Sequence, residues 1–207
     1  MNSKVSFRAA ALGGLCALAL AATAGGQGMP QPAHDYKAAP AGKYALDPKH
    51  TALVVRISHG GFSYSIFRFN DVTGALTWDP ANPGADSLTA SVDPKSIITG
   101  PVPGFSDELS GERFLNAAKF ATATFTSTAF KPDGPAHGKV EGSLTIMGVT
   151  KPAVFDVDLV GAGKGFRGPV IGVTAKTQLD AKDFGLPAFM GGAPIEIIID
   201  SEFDATT

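Results

Sequence analysis

The side chains with the means to do chemistry are few in this 207-residue chain: four histidines, one cysteine and several closely spaced aspartates. His50 and His59 stand nine residues apart with Asp47 close by, and two imidazoles with a carboxylate can hold a metal or serve as a base. That spacing is no recognised ligand motif. His34 lies in a Pro/Gly/Ala-rich leader and His137 in a Pro/Gly turn, so a fourth ligand is not supplied and no metal is expected. The simpler expectation has His50 closing the turn after Asp47-Pro48 by hydrogen bonding, and His59 standing at a strand end. There the His59 ring is expected to be partly buried and satisfied within the fold. Gly104-Phe105-Ser106-Asp107-Glu108 lacks the second glycine of a nucleophile elbow, and Gly61-Phe62-Ser63-Tyr64-Ser65 lacks it likewise. Asp156 and Asp158 alternate with apolar residues, as an outward, solvated strand face does. Gly161-Ala162-Gly163-Lys164-Gly165 has the composition but not the spacing of a phosphate loop and reads as a hairpin. Asp93-Pro94-Lys95-Ser96 and Asp183-Phe184-Gly185 are turn chemistry. No catalytic residue is expected.

These residues must be placed by a β framework. Apolar residues make up 44% of the chain and charged residues 17%, which supplies a core and argues against general disorder. A net charge of −2 without a basic cluster excludes recognition of nucleic acid. Met1–Ala24 is laid out as a secretory signal: Lys4 and Arg8 precede the apolar run Ala9–Ala22, and Ala22-Thr23-Ala24 offers a cleavage site. Cleavage there would leave 183 residues, net charge −4 and no cysteine, which excludes disulfides and thiol chemistry and leaves no stable membrane span. A periplasmic or secreted location is expected. Residues 25–42 read as a flexible leader, and residues 43–207 as one domain.

From Tyr44 onward the pattern has period 2. Leu53, Val55, Ile57 and His59 share a face in Thr51–His59; Phe67 and Phe69 alternate with Arg68; Val72–Trp78 alternates again. Ser87–Val92, Ala121–Phe130, Lys139–Met147, Ala153–Val160, Val170–Leu179 and Ile195–Phe203 follow, separated by turn residues such as Pro132-Asp133-Gly134, Gly161–Gly168 and Gly191-Gly192. One short helix is predicted over Ser106–Ala118, with Phe114 and Leu115 on its apolar side. Eight or nine short strands with hairpin-sized separators predict an all-β sandwich or barrel.

Tyr44-Ala45-Leu46-Asp47-Pro48-Lys49-His50-Thr51 and Ile57-Ser58-His59-Gly60-Gly61-Phe62 resemble the opening of the YceI-like family of polyisoprenoid-binding proteins. The resemblance continues through Arg68-Phe69-Asn70, Gly74-Ala75-Leu76, Val92-Asp93-Pro94-Lys95-Ser96-Ile97, Phe114-Leu115-Asn116, Phe125-Thr126-Ser127-Thr128 and Asp183-Phe184-Gly185. Its most specific block is Gly142-Ser143-Leu144-Thr145-Ile146-Met147-Gly148-Val149-Thr150-Lys151-Pro152. Two positions depart from the family pattern. Phe67 stands where a small residue is common, and Ala181 where an Arg usually precedes the Asp-Phe-Gly; both bear on pocket shape and therefore on ligand length. The resemblance implies a lipocalin-like antiparallel up-and-down β-barrel of about eight strands enclosing an elongated apolar pocket for a long isoprenoid or quinone-like lipid. It also implies barrels that can pair as homodimers.

The inward set by alternation is Leu53, Val55, Ile57, Phe69, Leu76, Trp78, Phe125, Leu144, Ile146, Phe155, Val157, Ile171, Val173, Ile197 and Ile199. With Phe67 and His59 these are the candidate ligand-binding residues. No cofactor is required under this reading. Period-2 patterning does not separate a hollow barrel from a filled one, so a structural barrel without ligand, and more remotely a histidine-dependent enzyme acting on a lipid, stand as alternatives to a lipid-binding protein.

Overall fold

A computed structural model of the chain describes residues 29–186 and 194–206. The predicted signal segment, residues 25–28 of the predicted leader and the Gly191-Gly192 separator lie outside the described residues. Eleven strands are formed: β1 (Gly42–Leu46), β2 (Ala52–His59), β3 (Ser63–Phe69), β4 (Val72–Trp78), β5 (Ser87–Val92), β6 (Ile97–Ile98), β7 (Ala123–Pro132), β8 (His137–Ile146), β9 (Val149–Lys164), β10 (Pro169–Leu179) and β11 (Ile195–Ala205). All pairings are antiparallel. The ring β1-β4-β5-β7-β8-β9-β10-β11 closes where Leu46 meets Phe203 and Tyr44 meets Ala205. This is the predicted eight-stranded barrel.

The three strands outside the ring extend three of its staves. β11 pairs with β1 at its C-terminal end and with β2, from Glu196↔Arg56 to Asp200↔Ala52, at its N-terminal end. β1 and β2 are therefore one stave with a break, and β3–β4 and β5–β6 are two more. The breaks are filled by local polar chemistry. Asp47 caps a 3-10 turn over Pro48–His50 and Asp93 one over Pro94–Ser96, each carboxylate accepting from a lysine N–H two residues on at 2.8 Å. Neighbouring breaks are tied together: the Asp93 N–H donates to the Asp71 carbonyl at 3.0 Å, and the Asn70 N–H to the Ser96 carbonyl at 3.3 Å. Inside the first break, Thr51 Oγ1 donates to the Asp47 carbonyl (2.7 Å) and lies 2.9 Å from Ser201 Oγ. Two buried hydroxyls are thus satisfied where the ladder is interrupted.

Alternation holds along the wall. In β8, Val140, Gly142 and Leu144 are buried while Lys139 and Ser143 are exposed. Asp156 and Asp158 lie on the exposed face of β9, paired with Lys139 and His137, as expected of a solvated surface.

Three expectations need correction. The helix α1 covers only Phe105–Ser110. Gly111 leaves the helical region, and the chain folds back so that the Leu115 N–H reaches the Leu109 carbonyl (3.1 Å), with Asn116 at φ 43°. Strand β9 runs on through Gly161–Lys164, which the glycines suggested as a separator. Gly161 and Gly172 instead face each other beside a register shift, where missing side chains suit a bulge. The leader is not wholly flexible either. Ala33 exchanges two 2.9 Å backbone hydrogen bonds with Ala162, the Tyr36 N–H donates to the Pro135 carbonyl, and Ala39 is completely buried. Apolar side chains at Tyr36 and Ala39 supply the packing that composition alone concealed.

The break at Asp47 gives a pH-dependent contribution. His50 Nδ1 lies 2.8 Å from Asp47 Oδ2, and Arg167 approaches the same carboxylate at 3.5 Å. The hydrogen bond from His50, then that from the Lys49 N–H, holds the Asp47 carboxyl below its ordinary value, and the Asp47 bond raises the His50 imidazole. A depressed carboxyl contributes stability above its unfolded value of 3.8 and loses it as pH falls through the folded value. A raised imidazole contributes fully below 6.5 and loses it as pH rises through its folded value. The pair is therefore complete between these limits. In thermal unfolding from pH 5 to 9, the Tm gap between the wild type and His50→Ala should be widest near pH 5 and shrink above pH 6.5; a gap constant across that range would refute the linkage.

Candidate ligand cavity

The inward side chains leave a cavity of about 320 Å³, within the range of small-molecule pockets, bordered almost wholly by apolar groups. It runs the length of the barrel. At one end it is bordered by Tyr36, Trp78, Pro83, Asp86, Phe130 and the 132–137 turn; at the other by Leu109, Phe114, Phe120, Phe184 and Leu186. Every apolar residue predicted to face inward, from Leu53 to Ile199 and including Phe67, borders this space. His59 does not: it is exposed at the tip of the β2–β3 hairpin, beyond the lining. Seven residues of extended chain separate it from the start of β2, roughly 23 Å, so His50 and His59 do not converge. His50 closes the Asp47 turn on the outer surface, as its position after Asp47-Pro48 suggests.

The lining depends on aromatic packing that glycine permits. The Phe125 and Phe155 rings meet edge to face at 5.0 Å between centroids. Gly142, inward on β8, leaves room for Phe125: a Cβ on Gly142 would lie 2.5 Å from the ring and 2.4 Å from the Thr126 carbonyl oxygen. Phe67 is buried and lies 6.5 Å from the Phe105 ring, so this departure from the family pattern puts bulk between β3 and the helix. Ala181 is also buried, in a 3-10 turn over Ala181–Phe184 capped by Asp180, and does not border the cavity.

Sequence reasoning missed lining of two kinds: strand residues such as Leu46, Val72, Val140 and Phe203, and residues of turns and of the helix. Tyr36, Asp86, Leu109, Phe120 and Phe184 border the cavity but belong to no alternating strand. Phe114 and Leu115, expected on the apolar side of the helix, border the cavity as well. Burial pushes the Asp86 carboxyl up to about 6; its hydrogen bond from the Asp79 N–H (2.6 Å) opposes this and the Asp79 carboxylate adds to it. Trp78 packs edge-on to Tyr36 (6.1 Å) and to Phe130 (6.5 Å), and its buried Nε1–H has no hydrogen-bond partner among the described residues. Among those residues, no helix is long and apolar enough to cross a membrane.

A closed antiparallel barrel around a continuous apolar cavity defines a class of small β-barrel binding proteins. The sequence profile of the YceI-like domain matches residues 44–203, and the chain belongs to that family. A UPF0312 protein of Shewanella sp. (strain W3-18-1) is 34% identical over 169 residues, covering 79% of this chain and 86% of the relative. A UPF0312 protein of Vibrio cholerae serotype O1 is 33% identical over 168 residues, covering 80% and 88%. Among solved structures, the Campylobacter jejuni YCEI protein superposes with a TM-score of 0.65 at 25% identity, covering 73% of this chain and 91% of that one. Burkholderia cenocepacia BcnA gives 0.65 at 20% identity, covering 78% and 99%. A polyisoprenoid binding domain from Saccharophagus degradans gives 0.58 at 15%, covering 79% and 98%; these last two speak to the fold alone.

Gly142→Ala should destabilise the barrel by about 1–3 kcal/mol, because neither the Thr126 carbonyl nor the Phe125 ring can retreat without disturbing the lining. Urea unfolding measures this directly. An unchanged midpoint would mean that the Phe125 ring is free to move.

Proposed function

We propose that the chain is a periplasmic or secreted carrier that holds a long-chain isoprenoid or quinone-like lipid inside its barrel. The observation that carries this reading is the continuous apolar cavity from Trp78 to Phe184. A hydrocarbon tail offers no hydrogen-bonding group, so its affinity must come from burial, about 0.8 kcal/mol per CH₂ removed from water before the cost of ordering the chain. A smooth apolar tube with few polar points suits that requirement. Membership of the YceI-like family supports it, as does the polyisoprenoid binding named for the Saccharophagus degradans domain of the same fold. The location rests on the signal-like layout of residues 1–24.

The same geometry weighs against the other two readings. A filled barrel would leave no such cavity along its axis. A histidine-dependent enzyme acting on a lipid would need an imidazole facing the tail, yet His50 lies on the outer surface and His59 at an exposed tip. His137 borders the cavity end, but its Nδ1 is engaged by Asp158 at 2.8 Å.

Mass spectrometry of an organic extract of protein purified from cells should detect an isoprenoid lipid in near-stoichiometric amount. Ala175→Phe, which adds bulk to the middle of the lining, should lower that amount at least tenfold while the β-sheet circular dichroism is retained. A lipid-free extract, together with no change in Trp78 fluorescence on adding prenols, would sink the proposal.

A further inference from the structure

We propose that residues 32–40 form a strap across the Trp78 end of the cavity, and that Tyr36 is the stop that sets the longest isoprenoid chain the barrel holds. The proposal rests on the lipid-carrier reading and adds to it a limit on the ligand. The strap lies outside residues 44–203, so the stop is an addition to the barrel that the family profile describes. Its course is fixed by ties to opposite walls. Ala33 exchanges backbone hydrogen bonds with Ala162 on β9, and the Tyr36 ring meets Trp78 on β4, four places away in the eight-membered ring of strands. Between these ties the Tyr36 N–H donates to the Pro135 carbonyl at 2.9 Å. At the start of the strap Pro32 rests on Gly161, where a Cβ would come within 2.6 Å of the proline Cβ. At its end Ala39 is buried, and the Pro40 carbonyl accepts from the Tyr44 hydroxyl at 2.7 Å. The turn that carries Tyr36 is itself capped. Asp35 accepts from the Lys37 N–H through its carboxylate and from the Ala38 N–H through its carbonyl, each at 2.9 Å.

Tyr36 stands where the strap meets the hydrocarbon. It borders the main cavity and also a second hollow, whose other walls are Asp35, Lys37, Pro132, Gly134 and Pro135. All of these but Asp35 are exposed, so the second hollow belongs to the outer surface and Tyr36 is a partition between the two. Its ring is held from several sides. It packs edge-on to Trp78, which packs edge-on to Phe130 in turn, and the Lys37 ammonium lies 5.6 Å from the ring centre. An isoprenoid gains affinity by burying carbon, unit by unit. Once the chain reaches Tyr36, each further unit is left outside the lining and contributes no more burial. Affinity therefore rises with chain length and then levels off, at a length that the ring sets.

The test measures binding of farnesol, geranylgeraniol, octaprenol and undecaprenol to the delipidated protein, by competition with radiolabelled geranylgeraniol. In the wild type the affinity should stop rising within the series, with octaprenol and undecaprenol less than twofold apart. Tyr36→Ala joins the two hollows and should raise the ratio of undecaprenol to farnesol affinity at least fivefold. Tyr36→Phe, which keeps the ring, should keep the wild-type ratio. Gly161→Ala displaces Pro32 from a position that does not border the cavity, and should raise the ratio at least twofold by loosening the strap. A wild-type affinity that climbs through undecaprenol, or a ratio that neither Tyr36→Ala nor Gly161→Ala moves, would overturn the stop while leaving the carrier intact. A ratio raised as much by Tyr36→Phe as by Tyr36→Ala would overturn it too. Failure of all four prenols to bind the wild type would overturn the carrier reading, and this proposal with it.

Discussion

Everything in this molecule depends on a backbone ladder that closes on itself. Once β11 pairs with β1 and β2 along its length, the N–H and C=O groups of the wall are satisfied by neighbouring strands rather than by whatever the barrel contains. The interior is then free of the obligation to hydrogen-bond, and its side chains can be purely apolar. In an open sheet the same row of Leu, Val, Ile and Phe would have to find a second layer to cover it. Closure is what allows the hydrophobic face to border a cavity instead.

The places where the ladder is interrupted are repaired by very local means. Asp47 and Asp93 cap a single turn each, and the Thr51–Ser201 pair sits where β11 passes from one half-stave to the next. These breaks let three staves bend at one level without leaving buried polar groups orphaned. The polar residues that might be mistaken for catalytic machinery, His50 and Asp47 above all, are occupied in this way.

The wall was the legible part of the sequence. Alternation in Val170–Leu179 or Ile195–Phe203 specifies which residues share a face, because period 2 is a direct consequence of strand geometry. His59 shows the limit of that rule: its parity matches Leu53, Val55 and Ile57, but the strand carries it past the end of the lining. What closes the barrel's ends was harder to read. Tyr36, Asp86 and Phe184 border the cavity through turns, where no periodicity relates a residue to a direction, and the packing around Ala33 and Tyr36 depends on partners distant in the chain, Ala162, Pro135 and Trp78. The helical pattern begins where α1 does but continues past its end, since Gly111 and the reversal at Asn116 act against it. Whether the tube is hollow depends on summed volumes around the axis, a quantity no single position carries.

The two rims of the barrel also differ in how the chain visits them. The leader segment around Ala33 and the last strand, whose Thr206 N–H bonds to the Lys43 carbonyl, both arrive at the rim beside Trp78. Among the described residues, the opposite rim is built of connections between strands: the 60–62 hairpin, the helix segment, the Met147-Gly148 turn and the Ala181–Phe184 turn. Its loops can change length without touching the seam that seals the wall. Changes of loop length should therefore be borne best at that rim, and a circularly rearranged chain would be best reopened there.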